Sequence, residues 1–466
     1  MTAPSRRDVS VAAIALALLS AAGRASAQQP SAGEVPLSDE QIRAILAERI
    51  DRNRESVGMV VGVISPQGRR IVSHGAFGLA DKRLPVGDTI FGIASVSKAF
   101  TGLLLADAIL RKEVKLSDPA ALHLPKDIRL RERNGRKITL IDLATHTSGL
   151  PHELPPELQT IALAKPAREA RSVMYDYLSQ WTLPTDIGST WSYSNLEYGL
   201  IGIALEQRTG LSYDTLLRTR ILDPLRLDDT AISLSPAQWE RRAHPHSMLL
   251  QPAPEWSKPW SISVLQSTAS DLLTFLGAAM GLTRSPLAPA FAGMLSVRRP
   301  APMISADQAI GWYVHPFNGR PIIGHSGSGG GFGATALYDP AARVGVVLLA
   351  NAENLWEDVA AHILRPSLPL AAKKTGASIA KAVLDAHTGR YADATGASWT
   401  VTHEEAGLLL RHPQGYKVPL TTESETHFSV QGFPTLFVDF RRDTAGKTTS
   451  LTWTLGGAAT EAKRAD

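Results

Sequence analysis

FGIASVSKAFTGLLLADAIL, residues 91–110, is apolar and helix-length, yet it carries Ser95 and Lys98 three positions apart near its start. Charge that only decorates a surface would sit on the far face of such a helix. If the helix begins at Ser95, Lys98 lies one turn on along the same side, and its amine reaches the hydroxyl. The helix N-terminus adds partial positive charge where an alkoxide or oxyanion would develop. A serine hydroxyl is a weak nucleophile until a neighbour takes its proton. A lysine beside Phe91, Ile93 and Phe100 is a candidate base. The same residues also describe a helix cap with a snorkelling lysine. The short pattern S-x-x-K recurs at Ser378–Lys381, so its company has to decide.

Two further stretches supply that company. STWSYSNLEYGLIG, residues 189–202, places Tyr193 and Asn195 two apart, just before an apolar helical run. On a turn or extended segment both side chains can face one cleft, where a phenol relays a proton and an amide orients a carbonyl or holds the lysine. RPIIGHSGSGGGFGATALYDP, residues 320–340, is a strand-like run ending in His325-Ser326-Gly327 and a glycine tract. Glycines there allow close approach of a substrate to the backbone, whose N–H groups can receive an oxyanion. A phosphate cradle would open a helix, whereas a second apolar, strand-like run follows here.

Taken in order, Ser95-Val96-Ser97-Lys98, Tyr193-Ser194-Asn195 and His325-Ser326-Gly327 resemble the three motifs S-x-x-K, Y-x-N and K/H-x-G. These belong to the serine β-lactamase and penicillin-binding-protein superfamily, in its class C-like branch. LATHTSGLP (residues 143–151) and STASDLLTFL (residues 267–276) are similar to further family segments, so the likeness runs from about residue 38 to 365. The resemblance implies acyl transfer through a Ser95 acyl-enzyme, with Lys98 and Tyr193 sharing the proton as one coupled unit. It implies Asn195, His325, Ser326 and Gly327 as substrate-binding residues, the backbone N–H groups of Ser95 and Ser328 as the oxyanion hole, and no metal or cofactor. The expected partner is a small-molecule or cell-wall peptide substrate. The branch holds D-aminopeptidases, D-alanyl-D-alanine carboxypeptidases and carboxylesterases besides β-lactamases. A rival reading from another class is a penicillin-binding or cell-wall-sensing protein that acylates but turns over slowly.

Two departures bear on the substrate. His325 stands where β-lactamases have lysine, and a histidine near its usual value of ~6.5 is mostly neutral at pH 7. A substrate carboxylate is then held less firmly, which shifts the expectation toward an esterase or D-amino-acid peptidase. Val264-Leu265-Gln266 replaces a Gly-Gly common in relatives and would reshape the rim, where Trp181, Trp191, Trp256 and Trp260 are candidates. His146 and His152 read as structural or rim residues. Lys374-Thr375-Gly376 copies the text of the third motif but falls in a Pro/Ala-rich linker together with Ser378–Lys381. A linker cannot supply a sheet strand beside the nucleophile.

The rest of the chain frames this domain. At 466 residues and 44% hydrophobic, it is long enough for a large core and two domains. The net charge of +4 lacks large blocks. The basic run from Lys126 to Lys137 has no interleaved aromatics and centres on an Asn134-Gly135 turn, which points to a solvated hairpin rather than nucleic-acid binding. There is no cysteine, no G-x-S-x-G and no H-E-x-x-H, and His244-Pro245-His246 lacks a third ligand at metal spacing. Residues 1–27 read as a signal peptide: Arg6-Arg7, an apolar run from Val9 to Ala22 too short to span a bilayer, and Ala25-Ser26-Ala27 for cleavage. The Arg pair is similar to a twin-arginine signal, Val9 where Phe is expected keeps general secretion open, and the expected location by either route is periplasmic or secreted. Residues 28–37 are a polar lead-in and Ser38-x-x-Gln41 a capping box. Strand-like runs flank a mainly helical middle, so 38–366 is expected to be an α+β domain whose antiparallel sheet draws strands from both ends. Residues 367–384 read as a linker. Short alternating strands in 385–466 predict a small all-β module, a barrel or a curled sheet, similar to the lipocalin-like modules appended to some members.

Overall fold

Pro66 and Gln67 turn the chain between β1 (Gly58–Ser65) and β2 (Gly68–Gly75), the hairpin expected from the sequence. The computed structural model describes residues 35–253, 265–371, 376–393, 398–404, 407–411, 417–430, 433–455 and 458–465. The signal-like residues 1–27, Trp256, Trp260, Val264, Lys374 and Thr375 lie outside them. Ahead of the hairpin, helix α1 (Asp39–Ala47) opens on the reciprocal Ser38–Gln41 capping box.

Strands β3 (Phe91–Gly92) and β4 (Gln266–Ser267) pair by themselves, far apart in sequence. The remaining strands of the first part are β5 (Arg299–Ala301), β6 (Ala306–Gln308), β7 (Tyr313–His315), β8 (Ile322–Gly329), β9 (Phe332–Asp339) and β10 (Val344–Ala350). They join the hairpin in one antiparallel sheet of order β2-β1-β10-β9-β8-β7-β6-β5. The N-terminal hairpin therefore closes against the last strand of the domain, Met59 opposite Ala350. Helices cover both faces. On one side α1 and α5 (Glu357–Leu364) bury Ile42, Leu46, Val359 and Ile363 against Val61, Val346 and Leu348. On the other lie α2 (Ser97–Leu110), α3 (Asn195–Thr209) and α4 (Ala269–Ala279).

Helix α2 is buried all round, every residue from Ser97 to Ala108. That is why its sequence shows no polar face: it runs through the core between sheet and helical region, with Phe100 stacked on Phe275 at 4.2 Å. Burying so much apolar surface, at roughly 25 cal/mol per Å2, can hold one lysine inside. Asn134 and Gly135 form the expected turn, both at positive φ. Its arginines stay partly exposed but also dock: Arg133 holds Asp186, and Arg136 holds the fully buried Asp142 at 2.7 Å.

The C-terminal strands form a closed eight-stranded antiparallel barrel: β11 (Gly389–Asp393), β12 (Ser398–Glu404), β13 (Gly407–Arg411), β14 (Lys417–Thr422), β15 (His427–Val430), β16 (Phe433–Arg442), β17 (Thr448–Leu455) and β18 (Ala458–Arg464). Pairing of β11 with β18 removes both sheet edges. Tyr391, Trp399, Phe428, Val438, Leu451 and Trp453 fill its interior. Leu355, in the connection from β10 to α5, packs into that same apolar cluster. The linker is anchored before it leaves: Arg49 reaches the Ala371 carbonyl at 2.8 Å and Asp358 at 2.6 Å. No helix among the described residues is long and apolar enough to cross a membrane.

Candidate active site

The site begins where β3 ends. The Ile93 N–H donates to the Leu265 carbonyl at 3.0 Å, so Leu265 braces the approach to Ser95. Ala94 then takes φ +41°, a left-handed conformation worth on the order of 1–3 kcal/mol of strain in a residue with a Cβ. Ala94–Val96 is a 3-10 turn, and α2 starts at Ser97. The expectation that Ser95 opens the α-helix is corrected by two residues. The bend at Ala94 and the tight turn keep the Ser95 side chain outside the helical register, while Lys98 stays on its second residue. Lys98 Nζ, fully buried, donates to Ser95 Oγ at 3.1 Å.

Tyr193 and Asn195 arrive on the segment entering α3. Tyr193 OH donates to Ser95 Oγ at 2.7 Å, and Lys98 Nζ donates to Asn195 Oδ1 at 2.7 Å. Ser194, between them, points the other way and caps α3, accepting from the Glu197 N–H and donating to the Pro151 carbonyl at 2.6 Å. This alternation is what brings the phenol and the amide to one crevice. Burial pushes the Tyr193 phenol far up, against the opposing effect of its bond to Ser95, so at rest it is a donor. The Lys98 amine also lies over the Tyr193 ring, 4.8 Å from its centroid.

Strand β8 supplies the third wall. A Cβ on Gly327 would stand 2.4 Å from the Ser95 nitrogen and 2.9 Å from the Ile93 oxygen. Only glycine lets the strand lie this close to the nucleophile's turn, and Ser328, half-buried, follows it opposite Gly333. His325 is buried, with its ring 6.4 Å from that of Tyr193 and stacked on Tyr313 at 4.5 Å. Its Nδ1–H donates to the Ser326 carbonyl at 2.7 Å. Burial first, then the Lys98 charge, pulls its pKa down to about 3. His325 is therefore neutral across the working range of most enzymes. Ser326 is a correction to the substrate-binding set. Strand alternation turns its side chain to the α5 side of the sheet, where its hydroxyl faces Glu357.

Of the proposed rim, Trp191 is a packing residue against Tyr193, its Nε1 donating to Gln308 at 3.3 Å. Trp181 ties down the Gly149 carbonyl at 3.1 Å. Ser378 is exposed and Lys381 pairs with Asp385 on a surface helix, so the second S-x-x-K takes no part. His246 holds the Asn351 carbonyl at 2.8 Å, and the described residues contain no cluster able to hold a metal. Three neighbours were not singled out from the sequence. Glu153 accepts from Asn195 Nδ2 at 3.4 Å, Tyr313 backs His325, and Glu197 pairs with His146 beneath Tyr193. An acid two residues past Y-x-N reads as an ordinary first-turn helix acid, and nothing in the local pattern marks its distant partner.

Fold and crevice together define a serine hydrolase of the β-lactamase type, and the chain belongs to the Beta-lactamase family, whose model matches residues 42–366. The D-alanyl-D-alanine-carboxypeptidase/endopeptidase AmpH of Escherichia coli (strain K12) is 29% identical over 330 residues, covering 66% of this chain and 83% of that one. A β-lactamase of Pseudomonas fluorescens is 26% identical over 346 residues, covering 65% and 91%. Among solved structures, the octameric penicillin-binding protein homologue from Pyrococcus abyssi superposes with a TM-score of 0.62 at 20% identity, over 92% of this chain and 100% of that one. The last likeness is one of fold.

Proposed function

We propose that the protein hydrolyses ester or amide carbonyls through a Ser95 acyl-enzyme, with a leaning to esterase or D-amino-acid peptidase chemistry. One observation carries this reading: Lys98 Nζ and Tyr193 OH converge on Ser95 Oγ from two separate elements. In the proposed reaction the Lys98–Tyr193 unit is reactive in the form that has lost one proton, and it takes the Oγ proton as Oγ bonds to the carbonyl carbon. The N–H groups of Ser95 and Ser328 receive the oxyanion. Tyr193 returns the proton to the leaving alcohol or amine, and water then releases the acid and regenerates Ser95. Asn195 holds Lys98 in place and orients the substrate. Neutral His325 supplies no charge for a substrate carboxylate, which favours neutral or weakly anionic substrates over β-lactams. AmpH is named a D-alanyl-D-alanine-carboxypeptidase/endopeptidase; of those two activities, cleavage within a D-peptide, which needs no terminal carboxylate at the site, is the one a neutral His325 fits. The leader-like residues 1–27 support action in the periplasm or outside the cell.

Wild type and Ser95→Ala are compared with a p-nitrophenyl ester, a D-alanyl-D-alanine peptide and a fluorescent penicillin. Sustained turnover of ester or peptide that falls at least ~1,000-fold in the variant supports the proposal. Stoichiometric penicillin labelling without turnover of any substrate would favour the slow, sensing alternative. Undiminished turnover in Ser95→Ala would overturn both.

A further inference from the structure

His146 lies fully buried behind the crevice, at φ +55°, its ring 4.6 Å from that of Tyr193 and 5.2 Å from that of Tyr198. Those are the same two rings that flank the Lys98 amine, at 4.8 and 5.8 Å. His146 is thus the back support of both aromatic walls. Two atoms approach its Nδ1. The Ser194 N–H, which can only donate, stands at 3.2 Å, and Glu197 Oε2 at 2.5 Å. The other carboxyl oxygen, Oε1, accepts from the Ser148 hydroxyl at 2.5 Å and the Ser148 N–H at 3.4 Å.

An amide N–H aimed at Nδ1 requires a lone pair there. The hydrogen in the short Glu197–His146 contact therefore comes from the carboxyl. Oε1, with two donors, is the carbonyl oxygen and Oε2 the hydroxyl. We propose that Glu197 is a positioning residue that acts as a neutral carboxylic acid: its Oε2–H donates to His146 Nδ1, locking the segment that carries Tyr193 and Asn195 against the Thr145–Ser148 loop. Burial pushes the Glu197 carboxyl well up and the His146 imidazole well down, in agreement with that arrangement. A neutral pair also leaves Lys98 as the one cation between the two rings; an imidazolium at 146 would repel it. The titratable groups facing the pair are Lys98 on α2, Asp142 in the short helix Leu140–Ala144, His152 on the loop beyond it, and His325 on β8. The Ser192 N–H to His146 carbonyl bond, 2.8 Å, and the Asn195 N–H to His152 carbonyl bond, 2.8 Å, complete the clasp.

The inference rests on the Ser95 reading, and the experiment separates the two. Glu197→Gln keeps a donor at Oε2 and an acceptor at Oε1 without any titratable proton; Glu197→Leu keeps the volume alone. With a Ser95-dependent ester substrate, Glu197→Gln should stay within about threefold of wild-type kcat/KM, with the same pH profile over roughly pH 5 to 9. Glu197→Leu should lose about 100-fold, mostly in kcat, as Tyr193 is released from its place. A Gln variant as impaired as Leu, or one whose pH limb moves by about a unit or more, would overturn the proposal, because the charge would then be in use. Should Leu fail to fold, 15N NMR of labelled histidine, assigned with His146→Gln, decides alone. A neutral ring protonated at Nε2 across that pH range is expected; an imidazolium or an Nδ1–H ring rejects the proposal. A wild type without Ser95-dependent turnover would instead sink the reading of the site.

Discussion

The interior beside Ser95 gathers buried titratable groups, whereas the described interior of the barrel is mainly aliphatic and aromatic, with His387 and a few hydroxyls among them. Next to the nucleophile, Lys98, Tyr193, His325, His146 and Glu197 are all buried, and Ala94 and His146 hold left-handed backbone. Inside the barrel the cluster is aliphatic and aromatic, from Tyr391 and Trp399 to Phe428 and Trp453. Polar groups taken from water must find partners or cost several kcal/mol. The crevice meets that demand with bonds that all run toward one oxygen, and it accepts strain to do so. In the barrel the few buried polar groups are paired locally, as His387 is with Thr448 and the Glu425 carbonyl, and most of the volume goes to packing. Chemistry and cohesion are thereby separated along the chain.

Substitutions can break or sharpen that contrast. Lys98→Met should remove the largest share of activity, about 1,000-fold or more in kcat/KM toward an ester, with the thermal midpoint lowered little or even raised. A variant that kept its rate would sever Lys98 from the reaction. Phe428→Ala, in the barrel, should do the reverse: a loss of about 3–5 kcal/mol in the stability of the barrel by denaturant unfolding, with unchanged kcat on protein still folded. Gly327→Ala drives a methyl into the Ser95 nitrogen and should cost about 100-fold in kcat through the oxyanion site, with KM nearly constant. The smallest effect is expected at His325. Folding holds its pKa at about 3, so KM for an anionic substrate relative to a neutral one should stay flat between roughly pH 6 and 8. A marked rise in that ratio with pH would show that the ring carries charge. The linked stability term has a definite sign: it is whole above the ordinary 6.5 and is lost as pH falls from there toward 3.

Much of this was legible from the chain because it is carried by order and alternation. The sheet assembled from both ends followed from apolar runs bounded by turns, and Ser95, Lys98, Tyr193 and Asn195 came from motifs in a fixed order. What escaped depends on single angles or distant partners. The helix start moved to Ser97 because one φ at Ala94 decides it, and no propensity encodes that value. Ser326 was grouped with His325 by adjacency, yet on a strand adjacent residues part to opposite faces. Glu197 and His146 are 51 positions apart and meet only once the helical region closes.

The side chain of Leu355 gives the two halves a shared rivet. It lies in the connection between β10 and α5, two residues before Glu357, and packs with the barrel's own apolar side chains. A chain cut after residue 371 would uncover an oily stud on one fragment and its empty socket on the other. Each piece would then expose apolar surface that the joined chain keeps covered.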